Sequence, residues 1–182
     1  MNAAAFIVGP QDGAGAALSD LGRRLGFSPL QPYVSLRQSL KQADQTPLLF
    51  FLFAAVANVS SLKPVANALR FSNEQSLRFA PLIYFASELS EETIRGCIAM
   101  GFDDVIALPY ANGDIGARLG RQMGETKTYY ETSTYFGPDR RNRVGPQRSL
   151  GSDHGGGQFR RIEIVRSAQG INVLRDDFQV ML

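Results

Sequence analysis

The sequence predicts an α/β fold: a doubly wound parallel sheet of five strands in the order 2-1-3-4-5, followed by an arginine-rich loop and a β-hairpin. Three observations carry this. Short apolar runs alternate with helix-spaced segments over residues 1–124. The clearest run, Leu48–Ala54 (LLFFLFA), has no polar alternation, so both faces of its strand must be covered. The composition then changes near residue 125. Residues 1–124 hold ten basic and ten acidic side chains, whereas Asp139–Arg148 alone carries four arginines against one acid.

Ala4–Gly9 is a buried strand ending at Gly-Pro. Ala14, Ala17, Leu18, Leu21 and Leu25 have helical spacing, and Gly26 stops that helix. Leu30–Val34 is a weaker strand, and Ser35–Ala43 a short helix with Leu36 and Leu40 on one face. After Leu48–Ala54, Lys63–Phe71 tolerates Pro64 in its first turn. Leu82–Ala86 is the fourth strand. Ser90 caps a helix whose Glu91 and Glu92 suit the positive N-terminal end, with Ile94, Ile98 and Cys97 expected inward. Val105–Leu108 is the fifth strand, and Ile115, Leu119 and Met123 mark a last helix.

Composition excludes several functions. The chain of 182 residues is 44% apolar with a net charge of +2, enough for a core and too little field to steer it to nucleic acid or lipid. One cysteine, Cys97, and one histidine, His154, exclude a disulfide and any site needing two His or Cys side chains. The longest apolar run, Pro47–Ala57, is about half of a membrane span. With no secretory pattern at the start, the reading is a cytoplasmic, non-enzymatic protein without a metal site or cofactor.

Two stretches carry a family resemblance. FIVGPQDGAGAALSDLGRRLGF resembles the first strand and helix of a response-regulator receiver domain of the CheY-like type. APLIYFASELSEETIRGCIAMGFDDVIALPY resembles the same domain from its fourth strand to its fifth, and Ala99–Tyr110 is the more specific part. The resemblance covers roughly residues 4–123 and implies a flavodoxin-like fold. It also implies a phosphoacceptor Asp, an acidic pair for Mg²⁺, a Ser/Thr and a Lys at the strand ends, because a dianionic phosphoryl group needs cations to offset it. Here Gly9-Pro10 stands in place of the acidic pair, Leu52-Phe53-Ala54 ends the third strand, Ala86 ends the fourth, and Leu108 precedes Pro109. The chain therefore resembles a pseudo-receiver that takes no phosphate. Phe53, Ala86 and Leu108 are expected to fill the old pocket. Arg95, Asp103, Asp104, Arg118 and Arg121 are expected on a mostly solvated face that could pair two copies.

Beyond the boundary, Tyr129–Gln147 shows no clear period and is punctuated by Gly137-Pro138 and Gly145-Pro146, which reads as a loop. It resembles the arginine-rich tail of receiver-like proteins that bind cyclic di-GMP. Arginine pairs bidentately with phosphate and with a guanine edge, and its flat guanidinium stacks on bases. The candidate ligand-binding residues are Tyr135, Phe136, Asp139, Arg140, Arg141, Arg143 and Arg148, the two aromatic rings stacking on a base or supporting the arginines. Ser149–Gln158 is a Gly-rich spacer holding His154 as a bystander. Phe159–Arg166 and Ile171–Leu174 form a hairpin that docks on the receiver, a second copy or a partner, with Arg160, Arg161 and Arg166 on its outer face.

The expected organisation is a pseudo-receiver over 1–124, a linker over 125–157 and a hairpin tail over 158–182. The expected function is phosphorylation-independent signalling through cyclic di-GMP. The alternative is a module that docks on a kinase, flagellar or cell-cycle protein and binds no nucleotide. A protein partner is expected on either reading, and a homodimer is open. No membrane insertion and no specific DNA binding are expected.

Overall fold

The computed structural model describes residues 3–109, 112–140 and 158–180. Its first half is a parallel sheet of β1 (Ala4–Val8), β2 (Leu30–Pro32), β3 (Leu49–Phe53), β4 (Leu82–Ala86) and β5 (Asp104–Ala107), in the order β2-β1-β3-β4-β5. Every residue of β1, β3 and β4 is buried, as strands covered on both faces must be. Alternate side chains go to opposite layers. Phe6, Phe51, Phe53 and Tyr84 face α2 (Leu36–Ala43), α3 (Lys63–Arg70) and α5 (Glu91–Ala99). Phe50, Leu52, Ile83 and Phe85 face α1 (Gly13–Arg24) and α6 (Asn112–Gly120).

Local chemistry sets the helix ends. Asp12, Ser35 and Ser90 each cap a helix by accepting a backbone N–H, so the lone acid after β1 is spent on α1. Gly26 and Gly101 end α1 and α5 at φ +80° and +76°, where glycine alone is unstrained. In α5 and its C-cap the buried positions are Cys97 and Met100, while Ile94 is exposed, contrary to its expected inward orientation. The inward stripe of this short helix is one residue out of phase with that expectation. A 3₁₀ turn, Val59–Leu62, and a one-turn helix α4, Gln75–Arg78, are too short to leave a period in the sequence.

The larger correction lies beyond Gly124. The stretch read as a loop holds two strands, β6 (Thr126–Glu131) and β7 (Phe136–Pro138). They join β8 (Gln158–Ser167) and β9 (Gly170–Val180) in an antiparallel sheet ordered β7-β6-β8-β9. The β8–β9 hairpin is present and longer than expected, turning at Gly170 with φ +113°. Its inner face docks on the receiver half. Tyr129, Phe136, Ile162 and Ile164 are buried against Phe79, which stands just before β4. Burial of each such side chain contributes roughly 1.5–3 kcal/mol. The second sheet thus covers the amino-terminal ends of β4 and β5, and Gly170 lies against Pro47 ahead of β3. The carboxyl ends of the parallel strands stay open. Among the described residues no helix is long and apolar enough to cross a membrane.

Candidate functional site

In folds of this class ligands bind at the carboxyl ends of the strands. Here those ends present Gly9, Ala54, Ala86 and Leu108, and none carries a charge. The expected filling of this region by Phe53, Ala86 and Leu108 is only partly right. Phe53 and Ala86 turn into the α3–α5 layer, where Phe53 packs edge-on against Phe102 at 4.6 Å between centroids. Leu108 remains at the surface, 36% exposed. An apolar cleft of about 540 Å³ is left between α1, Ala54, Phe85 and Leu108.

The charged chemistry is concentrated at the opposite end, and most of it is buried. Asp103, just before β5, accepts Arg70 Nη2 at 2.5 Å and the Leu82 backbone N–H at 2.9 Å on Oδ2. Its Oδ1 accepts Arg166 Nη2 at 2.7 Å and the Tyr129 hydroxyl, which itself accepts from Arg166. Most of the remaining guanidinium protons are also used. Arg70 donates to the carbonyls of Gly101, Arg78 and Ala80, and Arg166 to Phe79 O and to Gln122. Arg70, Arg166 and Tyr129 are at most 1% exposed. Burial alone would raise the Asp103 carboxyl, but Arg166, Arg70 and the Tyr129 hydroxyl outweigh it and hold it well below the carboxylate range. Burial pushes the Tyr129 phenol up, so it stays a protonated donor. The cluster spans α3, β5, β6 and β8, and it fastens the second sheet to the first.

Two of these residues had been placed elsewhere. Arg166 was expected on the outer face of the hairpin; it points inward because it is in phase with Ile162 and Ile164 on β8. Asp103, with Asp104 and Arg118, was expected on a solvated face. Instead Asp104 is buried and held bidentately by Arg118 at 2.6 and 3.0 Å. Arg95, paired with Glu91 at 2.5 Å and 78% exposed, and the exposed Arg121 answer to that description.

Four of the candidate ligand residues lie on or beside β7. The Phe136 ring is buried, stacked on Tyr129 at 5.4 Å and covered by the Arg78 guanidinium at 4.2 Å. Tyr135 is half-buried over Gly137, and burial raises its phenol. The Asp139 backbone N–H donates to Thr128 O at 2.7 Å, and Arg140 Nη2 donates to the Phe102 carbonyl. Arg141, Arg143 and Arg148, and with them His154 and Tyr110, lie outside the described residues. The Gly-Pro step of this motif has a packing reason. A Cβ at Gly137 would stand 2.8 Å from Gly101 Cα, and one at Gly101 would run into Phe136 O. Gly101→Ala should therefore lower stability by about 1–3 kcal/mol from backbone strain, with the clash added. A chemical denaturation midpoint checks this; an unchanged midpoint would mean that β7 is not held against this loop.

Arg70, Arg166 and Tyr129 were missed as a set. Arg166 was open to detection from its parity on β8. Arg70 shows no such mark, since it ends α3 as many solvated arginines do.

The described residues between 3 and 123 have the fold of a CheY-like receiver domain, and the second sheet is an addition to it. A CheY-like protein (tadZ) from Pseudomonas aeruginosa PAO1 superposes with a TM-score of 0.51 at 15% identity, over 65% of this chain and 98% of that one. An orphan response regulator from H. pylori matches more loosely, with a TM-score of 0.42 at 16% identity over 65% of this chain and 94% of that one. No family model and no curated protein sequence matches the chain.

Proposed function

We propose that this protein is a signalling module that has kept the receiver fold, works without phosphoryl transfer, and takes cyclic di-GMP on the arginine segment that continues from β7. The observation that carries the reading is the separation of charge. The residues that end the strands, Gly9, Ala54, Ala86 and Leu108, carry no charge, while β7 delivers Asp139 and Arg140 at the opposite end, directly ahead of Arg141, Arg143 and Arg148. In this reading Phe136 and the Gly101–Gly137 contact fix the root of the segment, and Asp139 accepts from the guanine edge. Arg141, Arg143 and Arg148 pair with phosphate or stack on the bases, with Tyr135 beside them. Anchoring matters because ordering a free loop costs roughly 1–2 kcal/mol per residue.

Calorimetric titration with cyclic di-GMP tests this. The intact chain should bind, and the variant with Arg141, Arg143 and Arg148 all changed to Ala should bind about 100-fold more weakly or worse, at about 1.5–3 kcal/mol per charge-assisted contact. Unchanged binding in that variant would refute it.

One observation favours a second reading. Phe136 and Arg140 are both engaged by the fold, so the motif could serve only to clasp the second sheet. The protein would then act by docking on a kinase, flagellar or cell-cycle partner, or as a homodimer, and no heat would accompany the nucleotide.

A further inference from the structure

The apolar cleft at the carboxyl ends of the strands is independent of the arginine segment. Its floor is hydrocarbon: Ala54 after β3, Phe85 on β4 and Ile115 on α6, each at most 1% exposed. One wall is the α1 face formed by Ala14, Ala17 and Leu21. At about 540 Å³ the space falls within the size range of small-molecule sites. It stays open because small side chains stand at the strand ends and on α1.

Its polar groups are few and of one kind. Among the described residues no acidic side chain lines the cleft. Arg24, in the last turn of α1, lines it, and its guanidinium has no hydrogen bond or ion pair with any described residue, whereas its neighbour Arg23 is taken by Asp20 at 2.6 Å. The Ser87 hydroxyl lines it too and is likewise without a partner among the described residues. An apolar floor with one unneutralised guanidinium and one hydroxyl complements a body of hydrocarbon that ends in an anion.

We propose that this cleft binds an amphipathic carboxylate, a medium-length acyl chain whose tail lies along Ala17, Phe85 and Ile115 and whose head meets Arg24. The replacement of charge by hydrocarbon at the strand ends thus leaves a site of different chemistry.

The test is a titration of the intact chain with decanoate, kept below its micelle concentration and followed by methyl NMR. Saturable shifts are expected at Leu21, Leu108 and Ile115. Decyltrimethylammonium, which has the same tail and the opposite charge, should bind at least tenfold more weakly. Ala17→Trp fills the cleft from an exposed helix position and should weaken decanoate at least tenfold without changing the melting temperature. Arg24→Glu should abolish the preference for the anion. The proposal falls if the shifts do not saturate, if the two amphiphiles bind alike, or if Ala17→Trp has no effect. It also falls if the chain self-associates and Ala17→Trp abolishes that association, since the occupant is then a second copy.

Discussion

Asp103→Asn should destabilise the protein by about 3–5 kcal/mol, the range for breaking a buried ion pair on one side. The substitution keeps the shape and removes the charge, which leaves Arg70 and Arg166 buried at no more than 1% exposure with only neutral partners. Urea midpoints measure the loss. Adding Arg166→Met to that variant should cost less than Arg166→Met alone, because the two residues share one network. Simple additivity would mean that the two act separately.

The same residue sets a pH dependence. Because the folded carboxyl lies below its ordinary value, its contribution is complete above about pH 4. As the pH falls further the unfolded chain takes up a proton that the native state refuses, and stability drains away. The gap between the native chain and Asp103→Asn should therefore narrow below about pH 4. Tyr129 has the opposite sign. Its raised phenol keeps its proton in the native state while the unfolded phenol ionises, so stability falls above about pH 10.

The second large effect is all-or-none. Incubation with acetyl phosphate and Mg²⁺ should leave no aspartyl phosphate on residues 1–124. At the carboxyl ends of β1, β3 and β5 the side chains are absent or hydrocarbon: Gly9, Ala54 and Leu108. Asp12, the acid nearest in sequence, caps α1 by accepting the Ala14 N–H at 3.3 Å. Asp103 and Asp104, each committed to arginine, stand at the far end of β5. Intact-mass detection of a phosphoryl adduct on any of them would overturn this account of the strand ends.

The receiver half was legible because its signals are local. LLFFLFA can only be a strand covered on both faces, and the caps at Ser35 and Ser90 mark helix starts within one residue. The second sheet was harder to read because its strands pair across distance. The β6 sequence TKTYYE alternates only weakly, and β7 is a three-residue strand containing Gly and Pro, which reads as a turn. What makes it a strand is the packing of Phe136 on Phe79 and Tyr129, which no short window reveals. The missing carboxylates of the strand ends could be read by position alone. The Arg70–Asp103–Arg166 cluster could not, because it joins residues 33 and 63 positions from Asp103.

Amide chemical-shift mapping with cyclic di-GMP tests the central claim most directly, because the two ends of the receiver half report separately. The account predicts shifts at Asp139, Arg140, the arginines that follow in sequence and the Gly101–Phe102 loop that Arg140 meets. The amides of Gly9, Ala54, Ser87 and Leu108 should stay still. Shifts confined to those strand-end residues, or none anywhere, would contradict it.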